Sequence, residues 1–400
     1  MKNSFTIHYR KKSYIESKKI ILLSFTAFVF FFFNSCRKDV NVKCKDCLIL
    51  HASLEEKKVP LEKLFNKIEL IPLETTDRSL IAYIDRYNYL NGKHYILDKK
   101  QVILFIFDEK GQYLNRIAKK GQGPGEYTLI YDFSVNLKKE QIEMLSPYGF
   151  IFCYDFNGNF IKKFDLTFLK SHAFHSMEIL DDENYILWST PEDNEDGIRI
   201  VSQETGKVVN SFWQDLFIIN SWASNTFYTY NNDTYFSLSL YNTVYKVTKE
   251  GIEDAYEWHF GDKTVDISKH NISTGMYNAN ADYETLMQKL ENNEILYDFR
   301  FHFQNSQYYY AQIRFGGTPK GKWKSLFYNK KTKENFLFEN IIEGLRLMPL
   351  YFSDEYIIDI LRYKDKEKLL NCTLLDESNK KKLLDFKEDD NPYLIKYYFR

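Results

Sequence analysis

Cys36 is the residue whose setting most clearly implies a chemical fate. Lys11, Lys12, Lys18 and Lys19 precede an apolar run over residues 20–33, broken only by Ser24 and Thr26, and Asn34, Ser35 and Cys36 follow. A basic stretch, an apolar stretch and a small residue before a cysteine is the order of an export signal whose thiol is acylated and becomes the mature N-terminus. The run falls short of the about 20 residues a helix needs to cross a bilayer. A cleaved signal over residues 1–36 is therefore expected, with lipidation at Cys36. Phe33 departs from the aliphatic residue usual three places before such a cysteine.

The other reactive side chains are less well framed. Cys44 and Cys47 have CxxC spacing, but a zinc site needs a second pair and a redox site needs a βαβ setting, so a small disulfide or no role is expected. Cys153 and Cys372 stand in apolar runs and read as buried free thiols. His172 and His175 lack the HExxH frame or a nearby carboxylate and read as loop histidines at the mouth of a sheet. Residues 192–197 place oxygens at alternate positions with Gly197 sixth, like part of a calcium loop. The twelfth position, however, is Gln203 instead of a bidentate glutamate, so an acidic hairpin tip is expected. No metal site and no cofactor is assigned. No GxSxG elbow is present, so no catalytic residue is assigned either.

Gly121, Gly123, Pro124, Gly125, Glu126 and Tyr127 form a glycine-rich segment that invites a phosphate-loop reading. Pro124 interrupts it and a strand follows where a dinucleotide fingerprint requires a helix. A structural turn with unusual backbone dihedrals is expected. Trp213, Trp222, Trp258 and Trp323 are candidates for stacking on a ligand if they stand on a surface.

The elements that must position these residues are strands. Aromatics make up 17% of the 400 residues, with 33 Phe and 31 Tyr against only 16 Gly and 8 Pro, a composition rich in strand formers. The formal charge is -1, from 54 basic and 55 acidic residues without long single-sign blocks, which argues against nucleic acid as a partner. A unit of strand, loop, strand, tight turn with Gly or Asn, and strand recurs about every 40 residues, as repeat architectures do. It reads through residues 94–117, 141–164, 184–212 and 234–260, with fainter copies at 308–338 and 345–399. Such a unit cannot bury its faces alone, so copies must pack around an axis as the blades of a propeller.

Short helices are expected at residues 282–290 and 377–388. Residues 81–90, 93–98, 103–107 and 113–118 complete a first blade and leave residues 68–73 over. Residues 345–352, 356–361 and 393–399 give the last blade only three strands. The spare N-terminal strand is therefore expected as its fourth. The fold expected is all-β, a six-bladed β-propeller over residues 61–400 with short helical insertions, behind a tether over residues 37–60.

The chain resembles the bacterial six-bladed β-propeller lipoproteins related to NHL and TolB-like propellers. The resemblance rests on residues 68–76, 95–98, 121–127 and 390–395 and covers nearly all of the chain after the signal. It implies a membrane-tethered protein of the bacterial cell envelope, at the outer membrane, with a non-catalytic binding or scaffolding role and a glycan, peptide or protein as ligand. The alternative it implies is a metal-dependent, lactonase-like hydrolase or lyase with its site in the central channel.

Overall fold

The computed structural model describes residues 47–191, 195–213, 226–238, 241–264, 281–292, 294, 298–314 and 321–400. Two strands precede the repeats: β1 (Leu48–His51) and, after a single helical turn α1 (Leu61–Leu64), β2 (Phe65–Pro72). Six blades follow. Blade 1 is β3 (Arg86–Leu90), β4 (Lys93–Asp98), β5 (Ile103–Asp108) and β6 (Tyr113–Ile117); blade 2 is β7 (Asp132–Asn136), β8 (Gln141–Ser146), β9 (Phe150–Asp155) and β10 (Phe160–Asp165). Blade 3 is β11 (Ser171–Ile179), β12 (Asn184–Pro191), β13 (Ile198–Ser202) and β14 (Val208–Phe212). Blade 4 is β15 (Phe227–Tyr230), β16 (Asp233–Phe236), β17 (Thr243–Val247) and β18 (Ile252–His259). After helix α2 (Ala281–Glu291), blade 5 is β19 (Asp298–Gln304), β20 (Tyr308–Arg314), β21 (Trp323–Asn329) and β22 (Asn335–Phe338). Blade 6 has β23 (Tyr351–Phe352) and β24 (Tyr356–Leu361), then helix α3 (Glu377–Asp385) and β25 (Tyr393–Phe399), with β2 as its outer strand.

Local chemistry explains the hairpins. Asn91 and Gly92 turn β3 into β4 with φ of 50° and 69°, the left-handed pair that a tight hairpin needs. In β5–β6 the Asp108 carboxylate accepts from the Lys110 and Gln112 amides, and in β9–β10 Asp155 accepts from Asn157 and Asn159. This is one turn used twice, and each copy ends on a glycine at positive φ, Gly111 or Gly158.

First strands of successive blades lie against one another from β3 to β19, and β23 lies against β3, so the first strands ring the axis. Hairpins joining first to second and third to fourth strands then open on one face, called here the hairpin face. Second-to-third turns and the links between blades open on the other, the link face. Apolar side chains fill each of the six interfaces between neighbouring blades, which is where the core sits.

The interface between blades 6 and 1 joins the two ends of the chain. β2 pairs antiparallel with β25 from Phe65 opposite Phe399 to Pro72 opposite Tyr393. Its outer edge is covered by α3: the Leu70 amide donates to the Asn379 carbonyl at 2.8 Å, a side chain standing in for a fifth strand. Buried Asn391 ties the link from blade 6 to blade 1. It accepts from the Ile81 amide at 2.8 Å and donates to the Glu74 and Ser79 carbonyls at 2.9 and 2.8 Å.

Three expectations are corrected. Residues 37–60 do not serve as a free tether in their described part. β1 adds to blade 4 as a fifth strand parallel to β18, Ser53 and Asn335 exchange two hydrogen bonds on blade 5, and Val59 is buried between blades 5 and 6. The cause is apolar: Leu50 and Val59 are almost wholly buried. Residues 81–85 are not strand, because the Asp98 carboxylate captures the Ala82 and Tyr83 amides at 2.7 and 3.0 Å. Residues 345–350 are not strand either, and there Asp359 captures the Met348 amide at 2.6 Å.

Truncating Asn391 leaves a buried amide and two carbonyls without partners, each costing about 1–3 kcal/mol where no water reaches. Asn391→Ala is therefore expected to lower the unfolding midpoint in urea sharply, whereas Asn157→Ala on an exposed turn leaves it nearly unchanged. Equal midpoints for the two variants would remove Asn391 from the closure.

Candidate functional site

Hairpins of blades 2, 3 and 4 border an open cleft of about 1010 Å³ on the hairpin face. Lys138 comes from the β7–β8 turn, Asp181, Asp182 and Glu183 from the β11–β12 turn, and Tyr230, Asn231 and Asn232 from the β15–β16 turn. Lys249 comes from the turn after β17. Asn231 and Asn232 both adopt positive φ, 51° and 65°, a conformation that asparagine tolerates, and this holds their amide side chains at the hairpin tip. Two lysines face three carboxylates: Lys138 meets Asp182 at 2.6 Å, and Lys249 meets both Glu183 at 3.2 Å and Asp181 at 3.4 Å, which leaves one negative charge over. Asp182 and Glu183 are 71% and 79% exposed, so these pairs contribute little stability and remain available to a ligand.

Between blades 4 and 5, the Lys330 ammonium sits 4.8 Å from the Tyr230 ring centre and 4.2 Å from that of Tyr309, and donates to Gln304 Oε1 at 2.9 Å. Burial lowers the Lys330 pKa to about 8. A second group of this kind lies between blades 6 and 1, where Lys396 rests 4.7 Å from Tyr356 and 5.1 Å from Tyr89.

The axis carries a separate polar cluster. The Arg86 guanidinium donates to both Asp132 oxygens, at 2.6 and 3.1 Å, and Asp132 also accepts from the Met177 amide at 2.9 Å. Three blades are thus joined through one buried carboxylate. Burial, reinforced by the Asp132 charge, pushes the neighbouring Glu178 carboxyl up to about 7, against the Ile179 amide that donates to it at 3.0 Å. His94 and His175 are held by burial at about 4 and His302 at about 3, so all three are neutral partners of hydroxyls on Tyr87, Thr190 and Ser237. Among the described residues, no group of three or more His, Cys, Asp or Glu is arranged to hold a metal.

The residues singled out from sequence fall in different places. Cys36, Cys44, Trp222 and residues 192–194 lie outside the described residues. Cys47 is disulfide-bonded, and Cys153 and Cys372 are buried free thiols. His172 and His175 are strand residues and not loop residues: each is the extra residue at a bulge where β11 slips against β12. Gln203 is buried, donating to the Asp181 and Asn184 carbonyls, and so buttresses the cleft hairpin. Trp258 is buried against Phe260 and Tyr328, and Trp213 among Phe236, Tyr241 and Tyr245, so neither presents a surface to a ligand. Trp323 is half-buried beneath the Arg314 guanidinium. Among the described residues, the aromatic at the cleft is Tyr230, which the tryptophan reading missed. The Tyr-Asn-Asn-Asp turn at 230–233 is visible in sequence as a hairpin, but its meeting with residues 181–183 is not.

Residues 121–127 link blade 1 to blade 2 on the link face. The Gly123 amide donates to Glu126 Oε2 at 2.9 Å, and the Gly121 amide donates to the Tyr127 carbonyl at 3.0 Å. The Tyr127 hydroxyl donates to the Ile117 carbonyl, and the Tyr154 hydroxyl to the Gly125 carbonyl at 2.8 Å. Of the three glycines only Gly125 has positive φ, 72°, and a Cβ there would lie 2.4 Å from the Phe160 ring.

Two expectations follow from this geometry. Gly125→Val is expected to cost about 1–3 kcal/mol of stability, against a smaller loss for Gly123→Val, whose Cβ meets only the flexible Glu126 carboxylate; chemical denaturation of both variants checks the order. For Glu178 the folded state holds its proton more tightly than the unfolded chain. Its contribution is therefore full below about 4.5 and is lost as pH rises through about 7, with a slope of at most about 1.4 kcal/mol per pH unit. Glu178→Gln should flatten that part of the stability curve and leave the variant more stable than wild type at pH 8. Parallel curves for the two proteins between pH 4.5 and 8 would contradict the assignment.

Comparison with known proteins adds to the fold. A candidate exported protein from Bacteroides fragilis NCTC 9343 is similar, with 18% identity and a TM-score of 0.69 over 88% of this chain and 99% of that one. A member of the DUF4221 family from Bacteroides vulgatus ATCC 8482 has 14% identity and a TM-score of 0.49 over 84% of this chain and 98% of that one. No curated protein matches the chain. The profile of DUF4934, described as a domain of unknown function, matches residues 49–398, and the chain belongs to that family.

Proposed function

We propose that the protein is a lipid-anchored binding propeller of the bacterial cell envelope that holds a glycan, peptide or protein segment without transforming it. The observation that carries this reading is the hairpin-face cleft, built from three blades and lined by paired charges, amides and a tyrosine. Such a lining positions a ligand through hydrogen bonds and charge. Location in the envelope is supported by the order of basic stretch, apolar run and Ser-Cys at residues 11–36, and by likeness to a candidate exported protein of Bacteroides fragilis. The motifs at 68–76 and 121–127 support kinship with the NHL and TolB-like lipoproteins, and with it an outer-membrane position.

The anchor is tested by growing cells with an alkyne fatty acid. The wild type is expected to take up label and fractionate with membranes, while Cys36→Ala stays unlabelled and leaves the membrane fraction. An unlabelled wild-type protein would overturn the lipid anchor.

A further inference from the structure

We propose that His51 and His259 bind one divalent transition-metal ion of the Cu²⁺ and Zn²⁺ class, and that the ion staples the N-terminal strap, residues 48–59, to the outer edge of blade 4. The site lies apart from the hairpin-face cleft and does not depend on the binding reading above.

Register brings the two imidazoles together. β1 runs parallel to β18, so His51 stands directly beside His259, and residues side by side in such a pair share a face of the sheet. Their ring centres are 5.0 Å apart. Two imidazoles that each hold one tetrahedral ion through a nitrogen at about 2.0–2.1 Å have their ring centres about 5 Å apart, so the pair already has the separation that chelation needs.

The opposite face of the sheet fixes that separation. Leu50 and Trp258, the residues just before the two histidines, are partners in the ladder and wholly buried in one apolar cluster. A slip of β1 by one residue would turn Leu50 out to solvent, so the register is held. Just past the pair, the Ala52 amide donates to the His259 carbonyl at 3.0 Å and closes the ladder. Both imidazoles are therefore placed before any ion arrives, and little binding energy is lost in bringing them together.

The donors select the ion. His51 is exposed and His259 half-buried, so an ion reaches both from solvent. Imidazole nitrogen suits Cu²⁺, Ni²⁺ and Zn²⁺, whereas Mg²⁺ and Ca²⁺ take oxygen. Cys47, at the head of the strap, is disulfide-bonded and offers no thiolate. The Gly261 amide donates to His259 Nδ1 at 3.3 Å, a long hydrogen bond that gives way when the ion takes the lone pair of that ring. Among the described residues no third His, Cys, Asp or Glu is grouped with the pair, so water fills the remaining positions and the ion exchanges more readily than from a closed four-ligand site. Its effect is local. β1 has four residues of which only Leu50 is buried, and an ion shared with β18 ties this lightly held strand to the ring.

The test uses the untagged full-length protein in detergent, freed of metal with EDTA and titrated by calorimetry with CuCl2, ZnCl2 and MgCl2. One equivalent of Cu²⁺ is expected to bind, Zn²⁺ more weakly at the same site, and Mg²⁺ not at all. His51→Ala and His259→Ala should each weaken Cu²⁺ and Zn²⁺ binding by about tenfold or more, while His172→Ala, which removes an exposed histidine of blade 3, should leave it within about twofold. Unchanged unfolding midpoints of the metal-free variants show that the fold is intact, and His51→Gln replaces His51→Ala where the midpoint moves. Hydrogen exchange reads the staple: saturating Zn²⁺ should slow exchange over residues 49–53 by about tenfold in the wild type and leave His51→Ala unchanged. Absence of Cu²⁺ and Zn²⁺ binding, Mg²⁺ binding as tight as that of Zn²⁺, or transition-metal binding that either histidine variant retains overturns the site. Binding that needs both histidines but does not slow exchange keeps the site and overturns the staple.

Discussion

Each blade of this ring is a small sheet with two apolar faces and no means of covering either alone. Its stability therefore depends on having a neighbour on both sides, and the blades at the chain ends would each lack one unless the circle shut. The pairing of β2 with β25 supplies that neighbour. It brings Ile71 and Leu394 onto the same apolar layer as Ile96 and Phe105 of blade 1, so the closing interface is packed like the other five. Helix α3 and Asn391, both from the insertion after β24, then cover the edge and tie the link that closure leaves exposed.

Polar groups follow a division of labour set by depth. Near the axis, Asp132 gathers a guanidinium and backbone amides from three blades, and burial keeps the nearby imidazoles neutral. Such groups fix the relative position of blades, because a buried carboxylate that lost one partner would be costly. At the hairpin face the charges are exposed and only loosely paired, so exchanging a partner for a ligand costs little. The groups at the axis thus serve the framework, while those at the hairpin face are the more loosely held.

Much of the ring was legible in the sequence because its signals are local. The Asp108 and Asp155 turns repeat one pattern ending in glycine, and β4, β5, β8 and β9 are runs of buried residues that read as strands. First strands were harder: β3 is half-buried throughout and β23 spans two residues, so neither alternates clearly. Asp98 and Asp359 end the expected strands by side-chain hydrogen bonds across 15 and 11 residues, which no periodicity records. The hairpin-face cleft was illegible for a related reason. Asp181 and Tyr230 belong to different blades, and their proximity exists only once the ring has formed. Nor does residue type reveal which aromatics are reachable, since Trp258 is fully buried while Tyr230 lines a cleft.

The seam also imposes an order of events. β2 is among the first parts of the fold to be synthesised, yet its partner β25 is the last strand of the ring. Until β25 has been made, an apolar strand flanked by α1 and the blade-crossing segment after β1 must wait without its ladder. The closing contact pairs Phe65 with Phe399, which makes it slow relative to the hairpins within blades. Until β25 is in place, a nascent chain of this kind stays exposed to proteases and to pairing with other chains.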